Sequence, residues 1–200
     1  LGLTGALTIT NGTFDTTSGG AYGLSVGSIL INGGTLTTNS SDINLSGTSG
    51  TLFEITSGTL TSNTSDVTVL NASGTPTFAS GLTGFSFNSL TINSSSGVNL
   101  GENFISSGQL DVAGGTFTTN GYGASASNIT VSGGTFTPSS SNITLSGTSG
   151  TLYEFTAGTI TSNTASVTLS GNGGAIFADG HGTPIPIYAL TISGTGTKSL

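Results

Sequence analysis

A long internal repeat constrains this chain more than any other feature of its sequence. Residues 41–70 and 141–170 are identical at 20 of 30 positions, and the offset between them is 100 residues. The string ILINGGTLT recurs at the same offset as ITVSGGTFT. Repeats of this kind indicate an architecture in which similar units stack on one another. We therefore divide the chain into two units, 1–100 and 101–200, of one continuous structure.

A shorter motif recurs inside each unit. It consists of two apolar residues separated by one position, a turn of Gly, Ser or Asn, and then Thr–apolar–Thr. This alternation predicts short β-strands. No window has the spacing of an amphipathic helix, and the 34 Gly disfavour helix formation. The motif begins at Leu7, Ile29, Ile43, Phe53, Val67, Leu90, Leu110, Ile129, Ile143, Tyr153, Val167 and Leu190. Each of these positions is predicted to open a strand.

Two all-β architectures fit such strands. In a parallel β-solenoid, each coil stacks on the previous one, and the motif spacings combine into coils of about 19 to 24 residues. In tandem β-sandwiches, each unit would be an immunoglobulin-like domain. Near-identical motifs favour the solenoid because every coil must present the same inward and outward positions. We predict a parallel β-solenoid, with tandem β-sandwich domains as the alternative.

Composition excludes several classes of partner. The net charge is −7 with a single basic residue, so nucleic-acid binding and attachment to an anionic membrane surface are not expected. The chain has no Cys, which excludes disulfides and thiolate metal sites. No apolar stretch is long enough for a membrane-spanning helix. We expect no cofactor and no membrane insertion.

Strings such as LTITNGTF, ITVSGGTFT, NITLSGTSGTL and LTISGTGTKSL carry a resemblance across essentially the whole chain. They resemble the Gly/Ser/Thr-rich repeats of large bacterial surface proteins of the filamentous-haemagglutinin-like and autotransporter types. The likeness is one of composition and rhythm, without a diagnostic motif. It implies a β-solenoid passenger region serving as an extracellular stalk, fibre or adhesin segment. The resemblance carries no catalytic residue to this sequence.

Candidate catalytic residues are few. Ser25 lies in Gly-Leu-Ser-Val-Gly, which matches the nucleophile-elbow pattern, but that pattern needs a strand–turn–helix context and a histidine partner. The only histidine is His181, in a turn-like stretch. Glu54 and Glu154 are equivalent across the repeat, and the predicted stacking separates them by more than a glycosidase pair allows. We therefore do not expect an enzyme.

The remaining acids lack the spacing of a metal site. Asp15, Asp42, Asp66, Glu102, Asp111 and Asp179 match neither an EF-hand nor a calcium-binding solenoid repeat, and they predict a solvated acidic face. Lys198 follows Gly-Thr-Gly-Thr, which is a loop sequence and not a phosphate-binding loop. No metal site is predicted.

Threonine pairs on either side of an apolar residue give a second resemblance, to ice-binding solenoids. They occur at Thr35/Thr37, Thr59/Thr61, Thr116/Thr118, Thr135/Thr137 and Thr159/Thr161. Thr is also a strand-former that covers an exposed face without charge. The irregular motif spacing argues against the flat array that ice binding needs, and an ice-binding module remains an alternative.

Eight Asn-x-Ser/Thr sequons predict candidate glycosylation sites in a secreted protein. They lie at Asn11, Asn39, Asn44, Asn63, Asn71, Asn93, Asn128 and Asn142. Stacked Asn and Thr ladders between coils would explain the same residues structurally.

The function expected from these observations is mechanical. Stacked coils have open ends that invite further pairing, so we expect end-to-end and lateral self-assembly into an extracellular filament, sheath or stalk at the cell surface. A cell-surface adhesin that binds glycans or another surface is the alternative. Its binding face would depart from the repeat, and the least repetitive stretches are 71–89 and 171–188, the latter with His181, Pro184, Pro186 and Tyr188.

Overall fold

A computed structural model describes residues 1–17, 19–81, 86–161, 164–173, 175–180 and 185–199, with only the backbone of 175–180. The described residues form strands, turns and loops without any helix, and every named strand pair is parallel. The chain winds through about eight turns. The predicted parallel β-solenoid is therefore confirmed, and the tandem β-sandwich alternative is wrong because the strand ladders run through both units.

The strands are short, and four of them bend around a corner. The first unit contains β1 (Ala6–Ile9), β2 (Thr13–Asp15), β3 (Leu24–Val26), β4 (Ser28–Thr37), β5 (Ile43–Leu45), β6 (Thr51–Thr61), β7 (Asp66–Val69), β8 (Thr77–Ser80) and β9 (Ser89–Asn99). The second contains β10 (Phe104–Ile105), β11 (Gln109–Thr118), β12 (Ala124–Ala126), β13 (Asn128–Val131), β14 (Thr135–Thr137), β15 (Asn142–Leu145), β16 (Thr151–Phe155), β17 (Thr159–Ile160), β18 (Ser166–Leu169), β19 (Ala175–Gly180), β20 (Ala189–Ile192) and β21 (Lys198–Ser199). All twelve predicted motif starts lie in strands.

Parallel pairing arranges these strands as three walls, numbered in the order in which the chain visits them. The first wall stacks β1, β4, β6, β8, β9, β11, β14 and β17. The second stacks β2, β4 and β6, then Phe87, β10, β12, β15, β18 and β20. The third stacks β3, β5, β7, β9, β11, β13, β16, β19 and β21. The bent strands β4, β6, β9 and β11 contribute to two walls each.

Coil length varies because the corners differ in length. Register partners are 19 residues apart between Leu24 and Ile43, and 26 residues apart between Phe53 and Ala79. The predicted range of 19 to 24 residues is therefore slightly too narrow.

Inward side chains form continuous apolar ladders. On the third wall, consecutive coils stack Ile43, Val67, Leu90, Leu110 and Ile129 at no more than 1% exposure. Each side chain is covered by its counterparts in the coils before and after it, which removes apolar surface from water. The interior is thus built one coil at a time.

Four phenylalanines fill the middle of the solenoid. Ring centroids of Phe53 and Phe87 are 5.4 Å apart, those of Phe78 and Phe104 are 5.3 Å apart, and those of Phe87 and Phe104 are 6.4 Å apart. These are favourable contact distances for aromatic rings. The cluster packs where the two units meet.

Glycines occupy the tightest corner, which lies between the two halves of the motif. Gly58 has a φ of +105°, and a Cβ placed there would lie 2.3 Å from the Gly34 carbonyl oxygen in the preceding coil. A Cβ on Gly34 would lie 2.9 Å from the Gly12 carbonyl oxygen in the same way. The corner therefore stacks backbone directly on backbone, and any side chain would separate the coils.

Buried hydroxyl groups connect successive coils at the next corner. Thr119 Oγ1 and Ser141 Oγ are 2.6 Å apart, and both residues have no exposed surface. Ser65 Oγ donates to Thr38 Oγ1 at 2.8 Å in an equivalent arrangement. Because buried polar groups need partners, this corner fixes which residues of neighbouring coils meet.

The sequence repeat is out of phase with the coils. The chain makes four full turns between Ile43 and Ile129, which both lie on the third wall. It then passes the first wall and reaches the second wall at Ile143, so 100 residues correspond to four turns and two further walls. Consequently Ile43 is on the third wall, whereas its repeat equivalent Ile143 is on the second. Phe53 is likewise on the first wall and Tyr153 on the third. The repeat preserves corners and strands, but it rotates them around the axis.

The glycine corner makes a stability prediction. Gly58→Ala should destabilise the chain by about 2 to 4 kcal/mol, because it combines a disfavoured positive φ with overpacking against Gly34. Gly50 also has a positive φ, +70°, but a Cβ added there would meet no atom within 4 Å. Gly50→Ala should therefore cost only about 1 kcal/mol. Urea unfolding of both variants measures the difference, and equal losses would contradict the stacking argument.

The buried hydrogen bond between Thr119 and Ser141 leads to a second stability prediction. A double-mutant cycle of Thr119→Val and Ser141→Ala should give a coupling energy of about 1 kcal/mol, the net value of one buried hydrogen bond. The control is the exposed pair in which Thr161 Oγ1 donates to Thr137 Oγ1 at 2.8 Å. A Thr137→Val and Thr161→Val cycle should show coupling near zero. Similar coupling in both cycles would show that burial does not matter here.

Candidate functional site

Four of the eight acidic residues belong to strands of the third wall. Asp111, Glu154 and Asp179 belong to its strands β11, β16 and β19, and Asp66 begins β7. Asp66 accepts hydrogen bonds from Asn88 Nδ2 at 2.8 Å and from Ser89 Oγ at 2.6 Å. Within the described ranges, no three His, Cys, Asp or Glu residues are close enough to hold a metal ion.

The elbow candidate Ser25 lies in the middle of strand β3. Its amide donates to the Leu1 carbonyl at 2.8 Å, and its carbonyl accepts from the Leu3 amide at 2.7 Å. This is extended parallel-strand geometry, so the sharp strand-to-helix turn of a nucleophile elbow is not formed. The candidate partner His181 and Pro184 lie outside the described residues.

The two repeat-equivalent glutamates are on different walls. Glu54 is half-buried on the first wall, between buried Phe53 and Ile55, which confirms that it points outward. Glu154 pairs in register with Thr130 on the third wall. The repeat therefore does not bring the two carboxylates onto one face.

The sequon asparagines differ in accessibility. Those with exposed side chains are Asn11, Asn63, Asn93 and Asn142, and those that are half-buried are Asn39, Asn44 and Asn128. Asn71 has no exposed surface, and its Nδ2 donates to the Ser73 and Gly97 carbonyls. The fold leaves no room for a glycan at Asn71, so that candidate is corrected. Asn63 Nδ2 donates to Asn39 Oδ1 at 3.0 Å, as in an asparagine ladder between coils.

The threonine pairs do not share one face. The Thr35/Thr37 and Thr59/Thr61 pairs are in register on the second wall, within β4 and β6. The pairs in β11, β14 and β17, together with Thr161, stack on the first wall instead. The rotation of the repeat thus divides the threonines into two short arrays.

The part of the second wall that belongs to the second repeat unit has no charged residue in its strands, and it contains a groove. Strands β10, β12, β15, β18 and β20 have no acidic or basic residue. An open groove of about 400 Å³ crosses the first three of these strands. Its lining includes Asn103, Ile105, Ser125, Asn142 and Thr144. The surface therefore combines hydroxyl and amide groups with one exposed aliphatic side chain, since Ile105 is 48% exposed.

Two exposed tyrosines stand at one edge of this wall. Tyr122, 41% exposed, lies between the groove residues Gly121 and Gly123. Tyr188, 73% exposed, precedes β20 at the position that Tyr122 has before β12. The pairing β12–β15–β18–β20 separates them by three strand spacings, about 14 Å along the axis.

Sequence reasoning found one of these tyrosines and missed the other. Tyr188 lies in the predicted non-repetitive stretch 171–188, where Ile185 and Ile187 pack against the core. Tyr122 was missed because it is part of the repeat: its equivalent is Tyr22, which precedes β3 on the third wall. The sequence signal that could have identified Tyr122 is an aromatic residue within a Gly-rich turn, where its side chain is exposed. Of the other predicted stretch, 71–89, the described part contributes β8 and the start of β9.

Comparison with protein-family models, with characterised proteins and with solved structures found no match to this chain. Among the residues that the structure describes, none belongs to a helix that could cross a bilayer.

Tyr153 provides a prediction for the pH dependence of stability. Burial raises the pKa of Tyr153 above its ordinary value, because the interior disfavours the charged phenolate. The folded state then keeps its proton at a pH where the unfolded state loses it. Above about pH 10, this residue should lower the free energy of unfolding by up to about 1.4 kcal/mol per pH unit.

Urea unfolding at neutral pH and at high pH tests this. Tyr153→Phe should lose less stability than the wild type over the same alkaline range, because it has no proton to release. An identical alkaline loss in both proteins would contradict the assignment.

Proposed function

We propose that this chain is a segment of an extracellular structural fibre or stalk, in which β-solenoid coils stack end to end. The observation that carries the proposal is the unbroken stacking of parallel coils through both repeat units, whose first and last described coils expose apolar side chains. Leu1 is 55% and Leu3 38% exposed at one end, and Leu190 is 42% and Ile192 56% exposed at the other. Their counterparts on internal strands, such as Val167 under Leu190, are buried.

Unpaired strand edges support the same proposal. Strands β1 and β2 pair only with β4, and β20 pairs only with β18, among the described strands. Each such edge presents backbone donors and acceptors that another parallel strand can satisfy. A further coil, from the same chain or from a second copy, would cover both the backbone edge and the apolar side chains.

The charge of the chain is compatible with close association. Charged residues make up 4% of the sequence, so little electrostatic repulsion opposes end-to-end or side-by-side contact. The uncharged Ser, Thr and Asn surface and the resemblance to bacterial surface repeats support an extracellular location. The divided threonine arrays favour a fibre over an ice-binding module, since ice binding requires one flat, regular face.

Electron microscopy of the 200-residue chain and of two lysine variants tests the proposal. We expect the wild type to form filaments with an axial spacing of about 4.8 Å. Leu190→Lys should abolish filaments, because it places a charge on the open stacking surface. The matched control is Leu70→Lys, since Leu70 is 41% exposed but lies in the middle of the solenoid. It should assemble like the wild type.

Two outcomes would overturn the proposal. Monodisperse short rods from the wild type would show that the coil ends do not associate. Equal loss of filaments in both lysine variants would show that exposed apolar residues in general, and not the terminal coil, drive association. Circular dichroism of each variant checks that its β-structure is retained.

A further inference from the structure

The lining of the groove on the second wall combines uncharged polar groups with apolar surface. Asn103 Oδ1 accepts the Gly123 amide at 2.7 Å, which fixes one side of the groove. Ser125, Asn142 and Thr144 contribute hydroxyl and amide groups, whereas Ile105 contributes apolar surface. The single basic residue, Lys198, uses its Nζ to donate to the Gly171 and Gly173 carbonyls. The groove therefore offers nothing to neutralise an anion.

Tyr122 and Tyr188 add flat, amphipathic platforms at the edge of the same wall. A tyrosine ring has an apolar face and a polar hydroxyl tip, and exposed tyrosines of this kind are enriched in binding surfaces. Tyr122 lies between two glycines, so neither adjacent residue has a side chain that could cover its ring. Both side chains are exposed to solvent, Tyr122 beside the groove and Tyr188 three strands further along the wall.

We propose that this face binds an uncharged polysaccharide laid along the axis of the solenoid. A sugar ring presents an apolar C–H face, which packs on a tyrosine ring or an isoleucine, and an edge of hydroxyl groups, which bonds to Ser, Thr and Asn.

The spacing of the wall fits such a polymer. Successive strands present their outward residues at intervals of about 4.8 Å, a distance of the same order as one monosaccharide unit in an extended chain. Outward positions Ile105, Ser125, Thr144 and Thr168 are in register on consecutive strands. Successive sugar units would therefore meet equivalent positions, and the two tyrosines would bracket about three units.

This inference does not depend on fibre formation. The groove and Tyr122 lie on internal coils, whereas Tyr188 lies on the last coil, two residues before Leu190. A chain that fails to assemble would still present the site, and an assembled fibre would present it repeatedly along its side.

Isothermal titration calorimetry with cellohexaose and chitohexaose tests the proposal on the whole chain, with heparin as an anionic comparison. We expect at least one of the neutral hexasaccharides to bind, and heparin to bind more weakly or not at all. Tyr122→Ala should weaken binding at least tenfold. The matched control is Tyr22→Ala, which removes the repeat-equivalent tyrosine, 57% exposed, from the third wall and should leave the affinity unchanged.

Absence of binding by both neutral hexasaccharides at millimolar concentration would overturn the proposal. So would tighter binding of heparin, or equal weakening by the two tyrosine variants, because either would indicate an unspecific surface. Repeating the titration with Leu3→Lys separates the two proposals, because Leu3 is exposed at the end of the solenoid away from both tyrosines. Loss of filaments with retained sugar binding would show that the site is independent of assembly.

Discussion

Parallel backbone pairing between consecutive coils is the interaction on which the rest of this structure depends. Each strand bonds to the strand one coil before and one coil after it, so the distance between coils is fixed at about 4.8 Å along all three walls. Every side chain must then be compatible with its counterparts directly above and below. Apolar residues satisfy this inside the solenoid by stacking like on like. Outside, uncharged residues satisfy it because like charges at this spacing repel each other.

The corners satisfy the same constraint in three different ways. At the tightest corner, glycines allow the backbones to approach, as Gly34 and Gly58 show. At the next corner, buried hydroxyl groups such as those of Thr119 and Ser141 form hydrogen bonds with each other in place of water. At the remaining corner, Ser46 and Ser146 each donate to a carbonyl of the preceding coil. Coil length can vary because a corner may lengthen outward without disturbing the walls.

The sequence predicted the strands well and their arrangement poorly, for a physical reason. Alternation around Ile29, Ile43 or Val167 reports directly which side chains are buried, so the solenoid and the strand starts could be predicted. Short strands without the full motif, such as β10 and β12, were not predicted, since Phe104–Ile105 and Ala124–Ala126 have too few residues to establish a period. Wall assignment was also out of reach. It depends on how many strands the chain passes through in between, and one unpredicted strand, such as β10 or β12, moves every later residue to another wall. The groove near Tyr122 follows from that assignment and could not be located without it.

Each repeat is rotated around the solenoid axis relative to the one before it. In a longer array with the same rotation, this determines which faces of the solenoid carry equivalent residues. One repeat of 100 residues covers four turns and two further walls, so three repeats return a motif to its starting wall after about fourteen turns, or about 67 Å. Any surface chemistry encoded once per repeat would then follow a helical path with a three-repeat superperiod. Such an array has no front and no back: a partner approaching from any direction meets the same chemistry at regular intervals, without any change in the sequence of the repeat.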